Sequence, residues 1–272
     1  MRRIALLAAA ALALAGCGES SSGRSVSSGP TTPGDEVMIR VVTGGGFMAE
    51  SRPPARLPQL SVFGDGRVIT EGPTTLQYPG PALPNLQEHR VTGDGVRRIV
   101  DAARAAGLLE DEPPDYGDPG VTDQATTTVT VRAGGITRQV DVYALGFKGR
   151  VSGVTPEQSE NRRRLEHFIG LAGDSGALAD VVVPGSERRY EPAALAVLVR
   201  SSDSTDGDAR TWPLGDLAGI DCGVYTGSDL ATVLDVARGA REGDRWTSRN
   251  ATYQVDFRPL LPDERTCDDL NR

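Results

Sequence analysis

The sequence predicts an α+β fold in which antiparallel sheets, built from hairpins, are each packed by one or two helices. Three observations lead there. Short β runs come in pairs around glycine-containing turns, and amphipathic helical stretches stand singly between those pairs. The order of elements also lacks the regular strand-helix-strand alternation that a parallel sheet requires.

The folded part is expected from residue 36. Glu36 to Thr43 alternates in part as a strand, Gly44-Gly45-Gly46-Phe47 supplies a flexible turn, and Arg52-Pro53-Pro54-Ala55-Arg56-Leu57-Pro58 is a proline-rich break. Gln59 to Phe63 and Arg67 to Thr70 then flank Gly64-Asp65-Gly66, a hairpin signal. Val96, Ile99, Val100 and Ala103 recur at helical spacing, with Arg97, Arg98, Asp101 and Arg104 on the wet side. A second hairpin follows. Val129 and Val131 alternate with threonines, Ala133-Gly134-Gly135 makes the turn, and Ile136, Val140 and Val142 share one face of the return strand. Thr155-Pro156-Glu157-Gln158 is a helix start with an N-cap threonine, proline at the first position and the glutamine of a capping box. Leu165, Phe168, Ile169 and Ala172 give that helix its buried stripe.

Gly173-Asp174-Ser175-Gly176 reads as a linker or turn, so the expected organisation is an α+β domain over 36–175 and a smaller one over 176–272. The second half repeats the grammar: a β-like Ala194 to Arg200, a polar loop Ser201 to Arg210, a helix striped by Leu230, Val233, Leu234 and Ala237, and a strand from Ala251 to Phe257. The helices echo each other. Thr92-Gly93, Asp101, Ala103, Arg104 and Ala106 match Thr226-Gly227, Asp235, Ala237, Arg238 and Ala240 at one constant offset, which points to two related units.

Ahead of all this, Arg2 and Arg3 precede an unbroken apolar run from Ile4 to Ala15. That is the layout of a secretory signal, and the run falls short of the ~20 residues that span a bilayer. It ends in Leu14-Ala15-Gly16-Cys17, which resembles the lipobox of bacterial lipoproteins. The resemblance implies a signal peptide over 1–16, cleavage before Cys17, and a lipid anchor, palmitate included, on that residue. Residues 17–35, rich in serine, glycine, proline and threonine, are expected to form a disordered tether. The partner so implied is the membrane, reached through the Cys17 lipid.

Loss of Arg2 and Arg3 with the signal takes the formal charge from -8 to -10. An acidic chain does not neutralise phosphates, so nucleic acid is excluded as a partner, and so is electrostatic docking on anionic lipid. Lys148 is the sole lysine beside an arginine-dominated set, the mark of a GC-rich genome. In this too the chain resembles lipoproteins of high-GC Gram-positive bacteria, which implies the extracytoplasmic face of the cell membrane. With Cys17 assigned to lipid, Cys222 and Cys267 remain, in a compartment where disulfides persist, and they are expected to pair. Closing a loop of that length is worth up to about 4 kcal/mol by chain entropy.

No catalytic constellation is evident. Gly173-Asp174-Ser175-Gly176 resembles four residues around the nucleophile of trypsin-like proteases, but Ala177 stands where that family has glycine and no matching histidine segment precedes it. Ser175 therefore reads as a turn residue. His89 and His167 lack partners at metal-ligand spacing. Asp115, Asp118 and Asp123 lie in the acidic loop Glu110 to Asp123, an oxygen-rich stretch of the sort that suits Ca²⁺ without the spacing of an EF-hand. Asp203, Asp206 and Asp208 around Gly207 make a weaker set of the same kind. Trp212 and Trp246, with Tyr225 and Tyr253, read as core before groove. Asn250-Ala251-Thr252 is a hairpin turn entering a strand. No cofactor is indicated. The function expected is a binding or partner module at the outer membrane face, engaging an envelope protein or the cell wall. The alternatives are an envelope hydrolase with carboxylates drawn from distant positions, and a Ca²⁺-stabilised structural protein.

Overall fold

The computed structural model describes residues 33–46, 55–149, 152–202 and 208–271. The signal segment, Cys17 and the tether as far as residue 32, Phe47, Arg52-Pro53-Pro54, and Asp203, Asp206 and Gly207 lie outside the described residues. The fold is α+β, with two sheets and three α-helices among the described residues.

The first sheet contains β1 (Val37–Gly44), β2 (Leu60–Phe63), β3 (Arg67–Glu71), β4 (Leu86–Arg90), β5 (Thr126–Ala133), β6 (Ile136–Tyr143) and the two-residue β7 (Arg188–Arg189), in the order β6-β5-β1-β2-β3-β4-β7. Every pairing in it is antiparallel. Both expected hairpins are present. In the turn between β2 and β3, Gly66 sits at φ +87°, and a Cβ there would meet the Val91 carbonyl oxygen at 2.3 Å. No other residue fits that turn. Gly134 and Gly135, at φ +59° and +79°, make the two-residue turn whose twist matches the strands of β5 and β6.

Helices α1 (Gly93–Ala105) and α2 (Pro156–Gly173) cover one face of this sheet. Thr92 and Thr155 each cap their helix through the side chain, and Gln158 completes the capping box of α2. Ile99, Ala103, Leu165, Phe168 and Ala172 then meet Ile39, Val41, Leu60, Val62, Val68, Val129, Val131, Val140 and Val142 in one core. Ile136, expected on that face, is 40% exposed because it pairs with Ala133 at the turn, where the strand ends leave the helices behind. A register shift between Val37 and Ile39 re-aims β1, so that Val37 faces the opposite side of the sheet from Ile39 and Val41. There it joins Leu57, Phe63, Ile69, Leu86, Tyr190 and Leu261. β2 is consequently buried on both faces, Ser61 included.

The second sheet contains β8 (Ala194–Ser201), β9 (Ala209–Thr211), β10 (Cys222–Thr226), β11 (Arg245–Ser248) and β12 (Ala251–Pro259), in the order β10-β8-β12-β11-β9. Only the short β9 runs parallel to its neighbour, β11. Helix α3 (Gly227–Arg238) packs Val233 and Ala237 against Leu195, Val197, Val199, Trp212, Trp246 and Phe257. Arg249 and Asn250 form the turn into β12. α1 and α3 start at the positions their sequence echo predicts, but Thr226 makes no side-chain cap among the described residues. The sheets are also wired differently: β1 takes the first strand of the following hairpin as its neighbour, whereas β8 takes the second.

The C-terminal segment joins the two sheets. Cys222 and Cys267 form a disulfide that ties β10 to the short 3-10 helix Cys267–Asn271. Between them, Arg258 and Glu264 form a bidentate ion pair at 2.8 and 3.0 Å with side chains 2% and 4% exposed, and the Leu261 N–H also donates to Glu264 at 2.7 Å. Asp263 then accepts from Arg40 at 2.8 Å, and Arg265 donates to Asp35 at 2.7 Å, next to the Arg67–Asp35 pair. Burial of Asp35 works against its ionised form, but the hydrogen bonds from Arg67 and Arg265 prevail and hold its carboxyl below the usual range.

Candidate functional site

The residues that drew chemical interest in the sequence divide into three places. The first is the segment after α2. Gly173-Asp174-Ser175-Gly176 does turn, but the chain then runs back to the first sheet and closes over β4 as a strap. Thr92 donates to the Val181 carbonyl at 2.8 Å, Val183 to the Arg90 carbonyl at 2.8 Å, and Tyr190 to the Leu86 carbonyl at 2.9 Å. Ser186 accepts from the Arg90 N–H at 3.0 Å, and Arg188 pairs with the buried Glu88 at 3.0 Å. His89 of β4, 6% exposed, lies on the face that carries Val68 and Val91, within electrostatic reach of Asp174 and Glu187 of the strap. Its Nε2 is buried and has no hydrogen-bond partner among the described residues. Burial pushes the imidazole pKa below 6.5, although Glu187, Asp174 and Glu88 all favour the cation. The Ser175 hydroxyl donates to Glu187 at 2.5 Å. The strap therefore gathers a serine, a histidine and carboxylates, but the serine proton is committed to Glu187 and not to the imidazole, which is not the relay that nucleophilic attack needs. His167, by contrast, is exposed on α2.

The acidic loop is the second place. Asp115 accepts from its own loop at Gly117 N–H (2.9 Å) and from Gln158 (2.7 Å), which together hold its carboxyl below the usual range. Asp118 accepts from the Gly120 N–H at 2.8 Å, and Asp123 adopts a left-handed backbone at φ +59°. Asn161 and Arg162 of α2 bind the carbonyls of Asp115 and Tyr116, and Arg162 reaches on to those of Tyr143 and Ala144. Thus α2 fastens the loop to the sheet. Among the described residues no group of three or more His, Cys, Asp or Glu side chains is arranged to hold a metal ion, and Asp115, Asp118 and Asp123 are not brought together as ligands.

The aromatic residues of the second half form the third place, and they are core. Trp212, Trp246 and Phe257 make successive edge-to-face contacts with centroids 5.7 Å apart, and Tyr225 packs edge-on against Trp212 at 6.0 Å. Trp246 is 1% exposed, under the guanidinium of Arg210. Near Tyr253 an open cleft of about 360 Å³ is lined by Val199, Arg200, Leu217, Ile220 and Asp221. Arg200 there already answers Asp256 at 3.7 Å.

What sequence reading missed is the connection between β3 and β4. Its feet are braced: Gly72 donates to the Asn85 carbonyl at 2.7 Å, the Asn85 side chain to the Pro73 carbonyl at 2.9 Å, Glu242 to the Gly80 carbonyl at 2.9 Å, and Ala82 to the Ala240 carbonyl at 3.1 Å. Between those feet Leu76 stands fully exposed and Tyr78 is 92% exposed, well above the other large apolar side chains described as exposed, Ile136, Phe147 and Val183. The tell-tale was a leucine and a tyrosine isolated among Pro73, Pro79 and Pro81. This loop lies at the end of β3 opposite Arg67, hence opposite Asp35, where the chain enters from its N-terminal segment. The chain matches no protein-family model, no curated protein and no solved structure. No described helix is long and apolar enough to cross a membrane.

Proposed function

We propose that the protein is a lipid-anchored extracytoplasmic partner module that presents the loop Gly72–Asn85 to another protein of the cell envelope. The observation that carries this reading is the pair Leu76 and Tyr78, held out on a loop whose two feet are hydrogen-bonded to the body of the fold. Apolar side chains at the tip of a braced loop expose area to water without any gain inside the fold, and burying a leucine or a tyrosine against a partner recovers about 1.5–3 kcal/mol each. Bracing lowers the ordering cost of that burial. The Cys222–Cys267 disulfide supports an oxidising compartment, and the lipobox-like segment ending at Cys17 supports the anchor. A lipid at Cys17 would tether the domain from the Asp35 end of the first sheet and leave the loop at its far end.

The test is site-specific photo-crosslinking in intact cells, with a photoreactive phenylalanine analogue replacing Tyr78 or, at the tether end of the sheet, Thr137. A single reproducible protein adduct from position 78, absent from 137 and lost with Leu76→Asp, is expected. The same adducts from both positions, or none from 78, would contradict the reading.

A further inference from the structure

The strap over β4 has a feature that neither the anchor nor the loop explains. An imidazole is buried where its Nε2 finds no partner, although three carboxylates lie close enough to act on it. We infer that His89 makes the strap a pH-gated latch: the neutral ring keeps the stretch between the buried Leu178 and Tyr190 closed on β4, and its protonation releases it.

The packing leaves the cation without accommodation in the closed state. On the strap side stand Asp174 and Glu187, both exposed to water, and Glu187 is held by the Ser175 hydroxyl at 2.5 Å. Glu88, on the same strand, is paired with Arg188 of β7. On β3, Val68 lies opposite the ring, and its neighbour Arg67 is engaged with Asp35 and Asp65. The nearby anions therefore favour charging the ring, yet each is already occupied or faces solvent, and burial outweighs them. A proton on His89 needs a hydrogen-bond acceptor or water at Nε2, and lifting the strap supplies water. The sign follows. A histidine whose closed-state pKa lies below the ordinary 6.5 stabilises the closed state fully above that value, and the contribution falls away as pH drops below it. Opening also strips β4 of its partner and leaves the backbone groups of an unpaired strand edge exposed.

Amide hydrogen exchange on the purified protein tests this. The amides of Val183 and Arg90, which donate to the Arg90 carbonyl and the Ser186 hydroxyl, report strap closure, and that of Val199, bonded to the Asp221 carbonyl in the second sheet, is the control. After correction for intrinsic rates, protection at Val183 and Arg90 is expected to fall, by at most about tenfold, between pH 7.5 and 5.5, with Val199 unchanged. His89→Gln and His89→Phe should each abolish the fall. Undiminished protection at pH 5.5, or an equal fall in both variants, overturns the inference. The wild-type imidazole titrated by NMR gives a check that needs no variant, since a pKa at or above 6.5 overturns it as well.

Discussion

The two sheets are closed by different chemistry. On the first, the strap Asp174–Tyr190 is held beside β4 by backbone hydrogen bonds and one partly exposed ion pair, Arg188–Glu88, and is anchored in the core only at Leu178 and at Tyr190, whose hydroxyl donates to the Leu260 carbonyl at 2.8 Å. On the second, the C-terminal segment is held by a covalent bond, Cys222–Cys267, and by an ion pair shut away from water, Arg258–Glu264. Hydrogen bonds exchanged with water are each worth only about 1 kcal/mol, and they open locally. A buried charge pair stays closed because separating it strands a charge. The comparison teaches where this molecule can move without unfolding: along the strap between the buried Leu178 and Tyr190, and not at the C-terminal clasp.

Substitutions at the clasp test that contrast most severely. Glu264→Gln leaves the Arg258 guanidinium, 2% exposed, without its anion, and should cost about 3–5 kcal/mol in urea unfolding. It should also loosen the junction of the sheets, because Asp263 and Arg265, which reach Arg40 and Asp35, flank the substituted position. A loss below about 1 kcal/mol would mean that water reaches the pair, and the contrast would fail. Next in size, Cys222→Ser with Cys267→Ser should lower stability by up to about 4 kcal/mol. The same change should raise amide exchange in the Cys267–Asn271 helix more than at Val183 of the strap. Equal loosening at both would show that the clasp and the strap form one cooperative unit.

Much of the fold was legible because its signals are local. Gly64-Asp65-Gly66 and Gly134-Gly135 declare their turns through the backbone they permit, and Thr155 with Gln158 declares a helix start. The pairing of Cys222 with Cys267 followed once Cys17 was assigned to lipid, and the structure forms that bond. Long-range choices left no local trace. Nothing in β1 announces that its neighbour lies at Thr126–Ala133, and the hairpins beside β1 and β8 attach by opposite strands although the helices before them echo each other. β7, two arginines long, has no periodicity to read, so the return of the chain to the first sheet beyond Gly176 was invisible. The candidate site was less legible still. Ser175 was conspicuous for its neighbours in sequence, but its partner Glu187 and the histidine under the strap are set by tertiary packing. Leu76 and Tyr78 left only a faint signal, their isolation among Pro73, Pro79 and Pro81, since an apolar residue in a loop does not declare in sequence whether it is exposed or buried.

The proposed function depends on where the chain is anchored, and mass spectrometry of the N-terminal peptide of the protein isolated from cell membranes tests that most directly. The account predicts a peptide beginning at Cys17 whose mass exceeds that of its residues by a diacylglyceryl group. A peptide beginning elsewhere, or one beginning at an unmodified Cys17, would contradict it.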